Sequence, residues 1–350
     1  MSSGGRAVLS GARVLVTGVA GFIGSWVAET LLRRGYEVLG VDCFTDFYPR
    51  AMKEVNVRRL KEWSSFSFVE ADLAEVDLDR LRRWLSDYPL VCHEAAQAGV
   101  RSSWGKSFEI YLRHNVLATQ RLLEAAKEAG VRRLVYASSS SVYGRARELP
   151  LREDGPLCPV SPYGVTKLAG EYLCRLYYLN HGVPTVALRY FTVYGPRQRP
   201  DMAFHRLIRA ALTGEPFPLY GDGRQVRSFT YVADAVRATL AALLQGGDEP
   251  PFLGEAVNVG GGSTASLGEA ITLVEEIVGR PVRVERNARQ AGDVEATEAE
   301  LSRARDWLGY EPRVSLREGL QLQVRWQERV YSSSSFYGDG NSETENKLFG

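Results

Sequence analysis

The sequence predicts an α/β fold with a doubly wound parallel sheet, followed by a second, smaller α/β lobe. Up to Arg189, short β-branched runs alternate with helical patterns, and this alternation is typical of parallel strands joined by crossover helices. A glycine-rich turn joins the first strand to the first helix. After Arg189, glycine, proline and aromatic residues become frequent and the alternation ends, which indicates the start of the second lobe.

Six strands are predicted in the first lobe, and six strands with intervening helices match a doubly wound sheet. The strands are Arg13–Val16, Glu37–Val41, Phe66–Val69, Leu90–His93, Leu134–Ala137 and Thr185–Leu188. The helical patterns between them are Phe22–Arg34, Glu54–Trp63, Asp77–Ser86, Phe108–Ala129 and Tyr163–Asn180.

The domain boundaries follow from the later segments of the chain. The helix Val232–Leu244 and the strand Ala256–Val259 are predicted to return to the first lobe. The first lobe therefore comprises residues 12–189 and 232–262, and the second lobe comprises residues 190–231 and 263–330. The helices predicted in the second lobe are Leu267–Val278, Glu298–Leu308 and Leu316–Arg329.

Composition argues against several classes of protein. The 43 Lys+Arg and 42 Asp+Glu nearly balance, so neither nucleic acid nor a membrane surface is a predicted partner. The four cysteines are scattered without a CxxC pair, which predicts neither a metal site nor a disulfide framework. The start of the chain lacks a secretion signal and no run approaches the ~18 apolar residues of a membrane span, so a soluble, cytoplasmic protein is predicted. Residues 331–350 are rich in serine, glycine and charge and are predicted to be disordered or vector-derived.

A dinucleotide site is predicted at the first strand–helix turn, which reads Gly18-Val-Ala-Gly-Phe-Ile-Gly24. Gly18 allows a tight turn, Gly21 lets the backbone approach a pyrophosphate at the helix N-terminus, and Gly24 lets the helix lie close to the sheet. Asp42 ends the next strand, where its carboxylate can bind both adenosine ribose hydroxyls and repel a 2′-phosphate. The sequence therefore predicts a Rossmann site for NAD rather than NADP.

Two further strand ends point to the same site. Asp72 follows the third strand, where it can meet the adenine amino group or, alternatively, cap a turn. After the fourth strand, Ala95 and Ala96 are small enough for a dinucleotide to lie against the backbone, whereas His93 is predicted to be a core histidine rather than a catalyst. The adjoining residues Phe22, Ile23 and Leu73 complete these predicted cofactor contacts.

A catalytic pair is predicted at Tyr163 and Lys167, which stand four residues apart and therefore lie on one face of a helix. A free phenol has a pKa of ~10. We expect the Lys167 ammonium and a nicotinamide cation to lower it, so that Tyr163 can act as a base. Ser139, in the serine-rich end of the fifth strand, can supply a hydroxyl that shares the substrate's proton.

These motifs together resemble the extended short-chain dehydrogenases/reductases, and within them the NAD-dependent epimerase/dehydratase family, over residues 12–330. The resemblance implies that Tyr163 is the base, that Lys167 is its partner and that Ser139 aids proton transfer. It implies a homodimer formed by the helices Phe108–Ala129 and Tyr163–Asn180. The NAD contacts that it implies are Gly18, Gly21, Gly24, Asp42, Asp72, Lys167 and Tyr190.

The residue before Val142-Tyr-Gly144 bears on the reaction. Members of the family oxidise C4 of a nucleotide sugar, and the fate of the 4-keto sugar distinguishes them. Dehydratases and decarboxylases carry an acid at this position, whereas this chain has Ser141. Without that carboxylate, the resemblance implies that the keto sugar rotates and receives the hydride on its other face, which is 4-epimerisation.

Three segments resemble UDP-glucuronate 4-epimerases: residues 42–48, 96–101 and 191–203. The resemblance implies that Arg199 neutralises the C6 carboxylate of the sugar; the alternative is that Arg199 contacts a phosphate or forms a surface ion pair. Hydrogen bonds to the sugar are expected from Ser139, Ser140, Ser141, Tyr163 and Thr192. Contacts with the UDP moiety are expected from Arg101, Ala203, Phe204, Tyr220, Arg227 and Asp293.

Two other functions stay open at this point. The segment from Pro159 to Lys167 resembles bacterial glucose/galactose epimerases, so a UDP-glucose/UDP-galactose or N-acetylhexosamine 4-epimerase is the second candidate. A non-catalytic NAD-binding sensor is the third. A sensor needs only the glycine turn, so the joint presence of Ser139, Tyr163 and Lys167 argues against it.

Overall fold

The computed structural model describes residues 12–145, 148–245, 247, 249–262, 264–288, 292 and 294–332. The first two residues of the predicted tail, Tyr331 and Ser332, belong to the last helix. The rest of that tail, residues 333–350, lies outside the described residues.

The strands confirm the predicted α/β class. In chain order they are β1 Arg13–Thr17, β2 Glu37–Asp42, β3 Phe66–Glu70, β4 Leu90–His93, β5 Arg133–Ser139, β6 Thr185–Tyr190, β7 Val193–Tyr194, β8 Phe217–Tyr220, β9 Val226–Ser228, β10 Thr230–Tyr231, β11 Ala256–Val259, β12 Thr264–Ser266, β13 Val284–Asn287 and β14 Ala296–Thr297. Seven of these strands form one sheet in the order β11-β6-β5-β4-β1-β2-β3. Every pairing in this sheet is parallel.

The helices cover both faces of the sheet and complete the second lobe. In chain order they are α1 Phe22–Arg33, α2 Arg50–Leu60, α3 Leu78–Asp87, α4 Phe108–Tyr111, α5 Ala118–Ala129, α6 Pro162–His181, α7 Ala203–Thr213, α8 Val232–Leu244, α9 Leu267–Val278, α10 Ser302–Leu308 and α11 Leu316–Ser332. None of the helices in the described part of the chain combines the length and the apolar composition that crossing a membrane requires.

The predicted helix Phe108–Ala129 is interrupted by a π-helical turn at Leu112–Leu117. Asn115 lies in that turn and is buried. Its amide accepts a hydrogen bond from the Gln97 N–H at 2.7 Å and donates to the Gln97 carbonyl and the Thr166 hydroxyl. Inserted turns of this kind frequently occur near functional sites, and this one ties the loop after β4 to α6.

The three helices predicted in the second lobe occur in the predicted order, but α7, Ala203–Thr213, was not predicted and α10 is shorter than predicted. Strand β9 pairs with β12 and β14, and β8 pairs with β13. Helix α10 begins at Ser302 rather than Glu298. The chain before it is extended because Ala296 and Thr297 pair with β9, and the Glu300 carboxylate accepts a hydrogen bond from the Ser302 N–H at 2.9 Å.

The parallel arrangement brings the carboxyl ends of β1, β2, β4, β5 and β6 to one edge of the sheet. Strands β4 and β5 are buried along nearly their whole length, as expected where helices cover both faces of a parallel sheet. Loops at this edge hold the predicted functional residues, and the segment after β6 leads into the second lobe. The site therefore lies where the two lobes meet.

Candidate active site

A cleft of about 390 Å³ lies at the carboxyl edge of the sheet. It brings together most of the predicted cofactor and sugar residues: Gly18, Gly21, Phe22, Ile23, Gly24, Asp42, Asp72, Leu73, Ala95, Ala96, Ser139, Ser140, Ser141, Tyr163, Lys167, Tyr190, Thr192 and Arg199. The predicted UDP contacts Arg101, Ala203, Phe204, Tyr220 and Arg227 are not among the residues lining this cleft. The predicted residue Asp293 lies outside the described residues.

The glycine turn has no space for side chains at Gly18 and Gly24, because its backbone lies very close to neighbouring chain segments. Gly18 has a φ of +68°, a conformation that favours glycine. A Cβ atom at Gly18 would lie only 2.7 Å from the Ala95 nitrogen, and one at Gly24 would collide with the Gly18 carbonyl oxygen. Helix α1 begins at Phe22, so its N-terminal amides lie beside the cleft, where a pyrophosphate would be stabilised.

Asp42 ends β2 beside this turn. One carboxylate oxygen accepts from the Ala20 N–H at 3.0 Å, and the other accepts from the Phe44 N–H at 2.8 Å. Burial raises the pKa of the carboxyl group, although these hydrogen bonds and the charge of Lys53 oppose the rise. The cradle at Gly18 and the acid at the end of β2 fit the adenosine half of a dinucleotide.

Asp72 lies at the same end of the cleft and has protein partners of its own. Its carboxylate accepts from the Arg113 guanidinium at 2.8 Å and from the Ala74 N–H at 2.9 Å. Burial opposes ionisation, but these partners and the charge of His114 outweigh it and lower the pKa of Asp72. Cys43, Asp72 and His114 also bring a thiol, a carboxylate and an imidazole within 4.8 Å of one another, a cluster that the scattered cysteines do not predict from sequence.

Tyr163 and Ser139 face each other in the cleft. Helix α6 starts at Pro162, and the Ser161 hydroxyl caps it by accepting from the Gly164 N–H at 3.1 Å, so Tyr163 lies in the first turn. The Ser139 side chain lies close enough to the Tyr163 hydroxyl to lower the pKa of the phenol, and both residues line the cleft. Ser139 in turn contacts the Ser141 N–H and hydroxyl, each at 3.1 Å.

The pKa of Tyr163 differs from the sequence-based expectation. Burial raises it above the ordinary phenol value, while the Ser139 hydrogen bond and the charge of Arg199 oppose the rise. Lys167 is itself buried: its ammonium donates to the Ala137 carbonyl at 2.7 Å, and burial lowers its pKa to about 8. Lys167 alone therefore does not produce a phenolate, and the second cation that we expected, the nicotinamide ring, has to supply the remaining stabilisation.

His93 and Glu94 end β4 and have different surroundings. His93 is buried between the Thr17 and Thr119 hydroxyls, at 2.8 and 3.0 Å, and burial lowers its pKa to about 3, as expected of a neutral core histidine. Glu94 lines the cleft, and the Tyr190 hydroxyl donates to it at 3.0 Å. Burial raises the pKa of Glu94 to about 7. Glu94 was not predicted from the sequence, although it follows β4 directly and precedes Ala95, which was predicted to contact the cofactor.

Arg199 enters the cleft from the loop after β7. The Arg199 side chain is 21% exposed and its guanidinium donates twice to the Asp201 carboxylate, from Nε and from Nη2, each at 3.0 Å. Arg197 has a φ of +68°. It pairs with the buried Glu29 of α1, and its guanidinium lies 3.7 Å from the centroid of the Trp26 ring.

The predicted UDP contacts occupy three kinds of position. Arg101 and Tyr220 meet across the two lobes, with the guanidinium carbon 4.2 Å from the ring centroid. Arg227 lies nearby in β9 and donates to the Val294 carbonyl at 2.7 Å. Phe204 is only 1% exposed and its ring centroid lies 4.4 Å from that of Phe229. The prediction that Phe204 contacts the UDP moiety is therefore not supported, because its ring is part of the core.

Comparisons with known proteins agree with this geometry. The model of the NAD dependent epimerase/dehydratase family matches residues 14–260. The uncharacterized UDP-glucose epimerase YtcB of Bacillus subtilis is 43% identical over 320 residues, which cover 91% of this chain and 99% of that protein. The UDP-glucuronic acid 4-epimerase of Bacillus cereus, solved with UDP-glucuronic acid and NAD, is 43% identical with a TM-score of 0.87 and covers 91% of this chain and 100% of its own.

A third similar protein, MoeE5, has been solved with two different sugar nucleotides. The complex with UDP-glucuronic acid and NAD is 41% identical to this chain with a TM-score of 0.80, and it covers 91% of this chain and 99% of its own. The complex with UDP-glucose and NAD is 42% identical with a TM-score of 0.81, and it covers 92% and 100%.

Proposed function

The chain belongs to the NAD-dependent epimerase/dehydratase family, and we propose that it catalyses the 4-epimerisation of UDP-glucuronic acid to UDP-galacturonic acid. The observation that carries this proposal is that the Tyr163–Ser139 pair and the Arg199 guanidinium line one cleft. A sugar held there meets a proton acceptor and a fixed cation. The similarity to the Bacillus cereus UDP-glucuronic acid 4-epimerase supports the same substrate.

The cofactor of the reaction is NAD, which accepts the hydride from the sugar C4 and returns it to the opposite face. The residues that hold it, in this proposal, are Gly18, Gly21, Phe22, Ile23, Gly24, Asp42, Asp72, Leu73, Ala95, Ala96, Tyr163, Lys167 and Tyr190, all of which line the cleft. Because NAD is regenerated in each turnover, it can stay bound.

Tyr163 acts as the base that takes the proton from the sugar O4 and later returns it. Ser139, whose side chain lies beside the phenol, shares that proton and orients the hydroxyl. Lys167 is fixed by the Ala137 carbonyl, and its charge favours the phenolate together with the cationic ring.

The sugar carboxylate lies, in this proposal, against Arg199, with Ser140, Ser141 and Thr192 as neighbouring hydrogen-bond donors. Ser141 also occupies the position at which dehydratases and decarboxylases of the family carry an acid. At the other end of the substrate, Arg101, Ala203, Tyr220 and Arg227 contact the UDP moiety. Asp293 is assigned to the same end of the substrate from its sequence alone.

UDP-glucose/UDP-galactose 4-epimerisation is the second candidate. The similarity to YtcB and the MoeE5 complex with UDP-glucose favour it. A purely NAD-binding sensor is disfavoured, because it has no use for Ser139, Tyr163 and Lys167 together in one cleft.

We further propose that the protein acts as a homodimer in the cytoplasm. Large apolar side chains lie exposed on two neighbouring helical segments. They are Ile110, Leu112 and Leu117 on one segment, and Val165, Tyr172, Leu176 and Leu179 on α6. A contiguous apolar surface of this kind typically marks an interface. The location is consistent with four free cysteines, which is typical of a reducing compartment.

The test is to incubate the purified protein with NAD and either UDP-glucuronic acid or UDP-glucose, and to separate the products. Formation of UDP-galacturonic acid is the expected result. If only UDP-galactose forms, from UDP-glucose, the second candidate is correct. If neither sugar is converted although NAD binds, the same assay with UDP-N-acetylglucosamine decides between an N-acetylhexosamine epimerase, which converts it, and the sensor, which does not.

A further inference from the structure

Arg199 meets a carboxylate that belongs to the protein itself. The Nε and Nη2 donors face Asp201 through one edge of the guanidinium, at 3.0 Å each. A guanidinium carries five N–H groups in a fixed fork. Among the described residues, none accepts a hydrogen bond from Arg199 Nη1. Arg199 lines the cleft whereas Asp201 does not. Asp201 therefore binds one edge of Arg199 and leaves the Nη1 edge available to the substrate.

The loop that carries this pair is held from both lobes. Arg197 is anchored to the first lobe by Glu29, and its backbone is left-handed, with a φ of +68°, a conformation that residues other than glycine rarely adopt. Gln198 is anchored to the second lobe, where its side chain donates to the Val193 carbonyl at 3.1 Å and accepts from Gln323 at 2.8 Å. With both preceding residues fixed, Arg199 has little freedom to move towards a ligand.

The Arg152–Asp154 pair on the surface has the same spacing as Arg199–Asp201 but differs from it in exposure to water. Arg152 donates from Nε and Nη2 to Asp154 at 3.1 and 3.2 Å, but these side chains are 63% and 57% exposed. The Arg199 and Asp201 side chains are 21% and 37% exposed. Water screens the charges of Arg152 and Asp154, so this exposed pair contributes little to stability. Arg199 is mostly screened from water, and a guanidinium in such a place needs a counter-ion.

The need for a counter-ion depends on the sugar. UDP-glucuronic acid brings its own carboxylate to Arg199, whereas UDP-glucose carries a neutral hydroxymethyl group at C6. We propose that Asp201 is a specificity-determining residue that acts as the resident counter-ion of Arg199, and that it lets the site epimerise neutral UDP-hexoses as well as UDP-glucuronic acid. This rests on the proposed function, because it takes Arg199 as the residue that faces C6. Asp201 is a positioning residue, since it acts through Arg199.

The charge of Asp201 has opposite effects on the two substrates. With UDP-glucose bound, Asp201 is the counter-ion available to Arg199, so its loss leaves a partly buried charge uncompensated. With UDP-glucuronic acid bound, Asp201 repels the substrate carboxylate, so its loss leaves binding unchanged or improves it. A residue with a merely structural role would affect both substrates in the same direction.

The experiment measures kcat and KM for both substrates with the NAD-loaded wild type, Asp201→Asn and the matched control Asp154→Asn. Asp201→Asn should raise the KM for UDP-glucose about tenfold, as for loss of one charge-assisted interaction. Its KM for UDP-glucuronic acid should stay the same or fall, and its kcat should change little. Asp154→Asn should match the wild type on both substrates.

A second variant keeps the test decisive if Asp201→Asn folds poorly. Removing both charges, in Arg199→Gln with Asp201→Asn, should bring the KM for UDP-glucose back towards the wild-type value and raise the KM for UDP-glucuronic acid. Such non-additivity is the signature of a direct pair. If Asp201→Asn weakens both substrates equally, or if the wild type epimerises UDP-glucuronic acid but not UDP-glucose, the inference is wrong and the proposed function stands. If the wild type converts only UDP-glucose, the proposed function itself fails.

Discussion

The Arg101 guanidinium lies over the ring of Tyr220, 4.2 Å from its centroid, and joins the two lobes beside the cleft. Arg101 follows β4 in the first lobe, and Tyr220 ends β8 in the second. A partly exposed cation–π contact contributes about 0.5–1 kcal/mol. This contact connects two residues that we assign to the UDP moiety, so it should help to hold the lobes around the nucleotide.

Removing that contact should weaken substrate binding without affecting the chemical step. Tyr220→Ala should raise the KM for the UDP-sugar about threefold, as expected from that free energy, and should leave kcat unchanged. Tyr220→Phe keeps the ring face and serves as the matched control. A lowered kcat at unchanged KM would contradict the assignment of Tyr220 to the UDP end.

Tyr163→Phe should abolish most epimerisation while the fold and NAD binding persist. The phenol is the proposed proton acceptor beside Ser139, and loss of a general base typically lowers kcat about 10²–10⁴-fold. Steady-state kinetics and NAD binding by fluorescence give the two readouts. Tyr172→Phe, on the exposed face of the same helix, is the control. Near-normal turnover by Tyr163→Phe would rule out the mechanism.

Asp42→Asn should reduce the preference for NAD over NADP. The substitution keeps an acceptor for only one of the Ala20 and Phe44 amides, because they bind different carboxylate oxygens. It also removes the charge that repels a 2′-phosphate and one acceptor for the ribose hydroxyls. Calorimetric titration should show weaker NAD binding, by about tenfold, and relatively stronger NADP binding. Asp46→Asn, four residues along in an exposed position, should leave both affinities as they are.

The contribution of His93 to the stability of the protein should fall on acidification. Burial lowers the pKa of His93 in the folded protein to about 3, whereas an unfolded histidine titrates near ~6.5. Between these values the unfolded chain binds the extra proton, so the free energy of unfolding decreases as the pH is lowered through that window. From about pH 6.5 to about pH 5 the loss through His93 should be about 2 kcal/mol.

The measurement for His93 has to separate it from Glu94. Burial raises the pKa of Glu94 to about 7, so its contribution has the opposite sign: stability is lost as the pH rises towards that value. Urea unfolding of the wild type and of His93→Gln at the same pH values isolates the histidine, since Glu94 is common to both. Equal loss of stability on acidification in the two proteins would show that His93 does not remain neutral.

Leu176→Arg should convert the proposed homodimer to a monomer. Leu176 is 52% exposed on α6, and a charge in the centre of an apolar interface is costly to bury. Light scattering at micromolar concentration gives the mass. Leu149→Arg places the same charge at an exposed leucine, 44% accessible, away from both helical segments, and should leave the mass unchanged. A wild-type monomer at this concentration would refute the dimer.

Much of the fold and part of the site could be predicted from the sequence because their signals are local. The alternation of apolar runs and helical patterns placed the helix Val232–Leu244 and the strand Ala256–Val259 at the observed residues. The glycine spacing from Gly18 to Gly24 and the four-residue spacing of Tyr163 and Lys167 depend only on chain geometry within one turn or one helix. These features therefore follow from short-range stereochemistry and do not depend on tertiary packing.

The remaining features were decided only by the tertiary structure, because they depend on burial and on segments far apart in the chain. Phe204 has the aromatic ring expected of a nucleotide contact, but this ring packs against Phe229 in the core. Glu94 becomes part of the site because Tyr190, on another strand, donates to it. The pKa of Tyr163 rises because folding removes the phenol from water. Desolvation and contacts between distant segments have no local sequence pattern. The sequence therefore determined the glycine turn and the Tyr163–Lys167 pair, whereas the fold decided the place of Glu94 and Phe204 and the charges and partners of the buried groups.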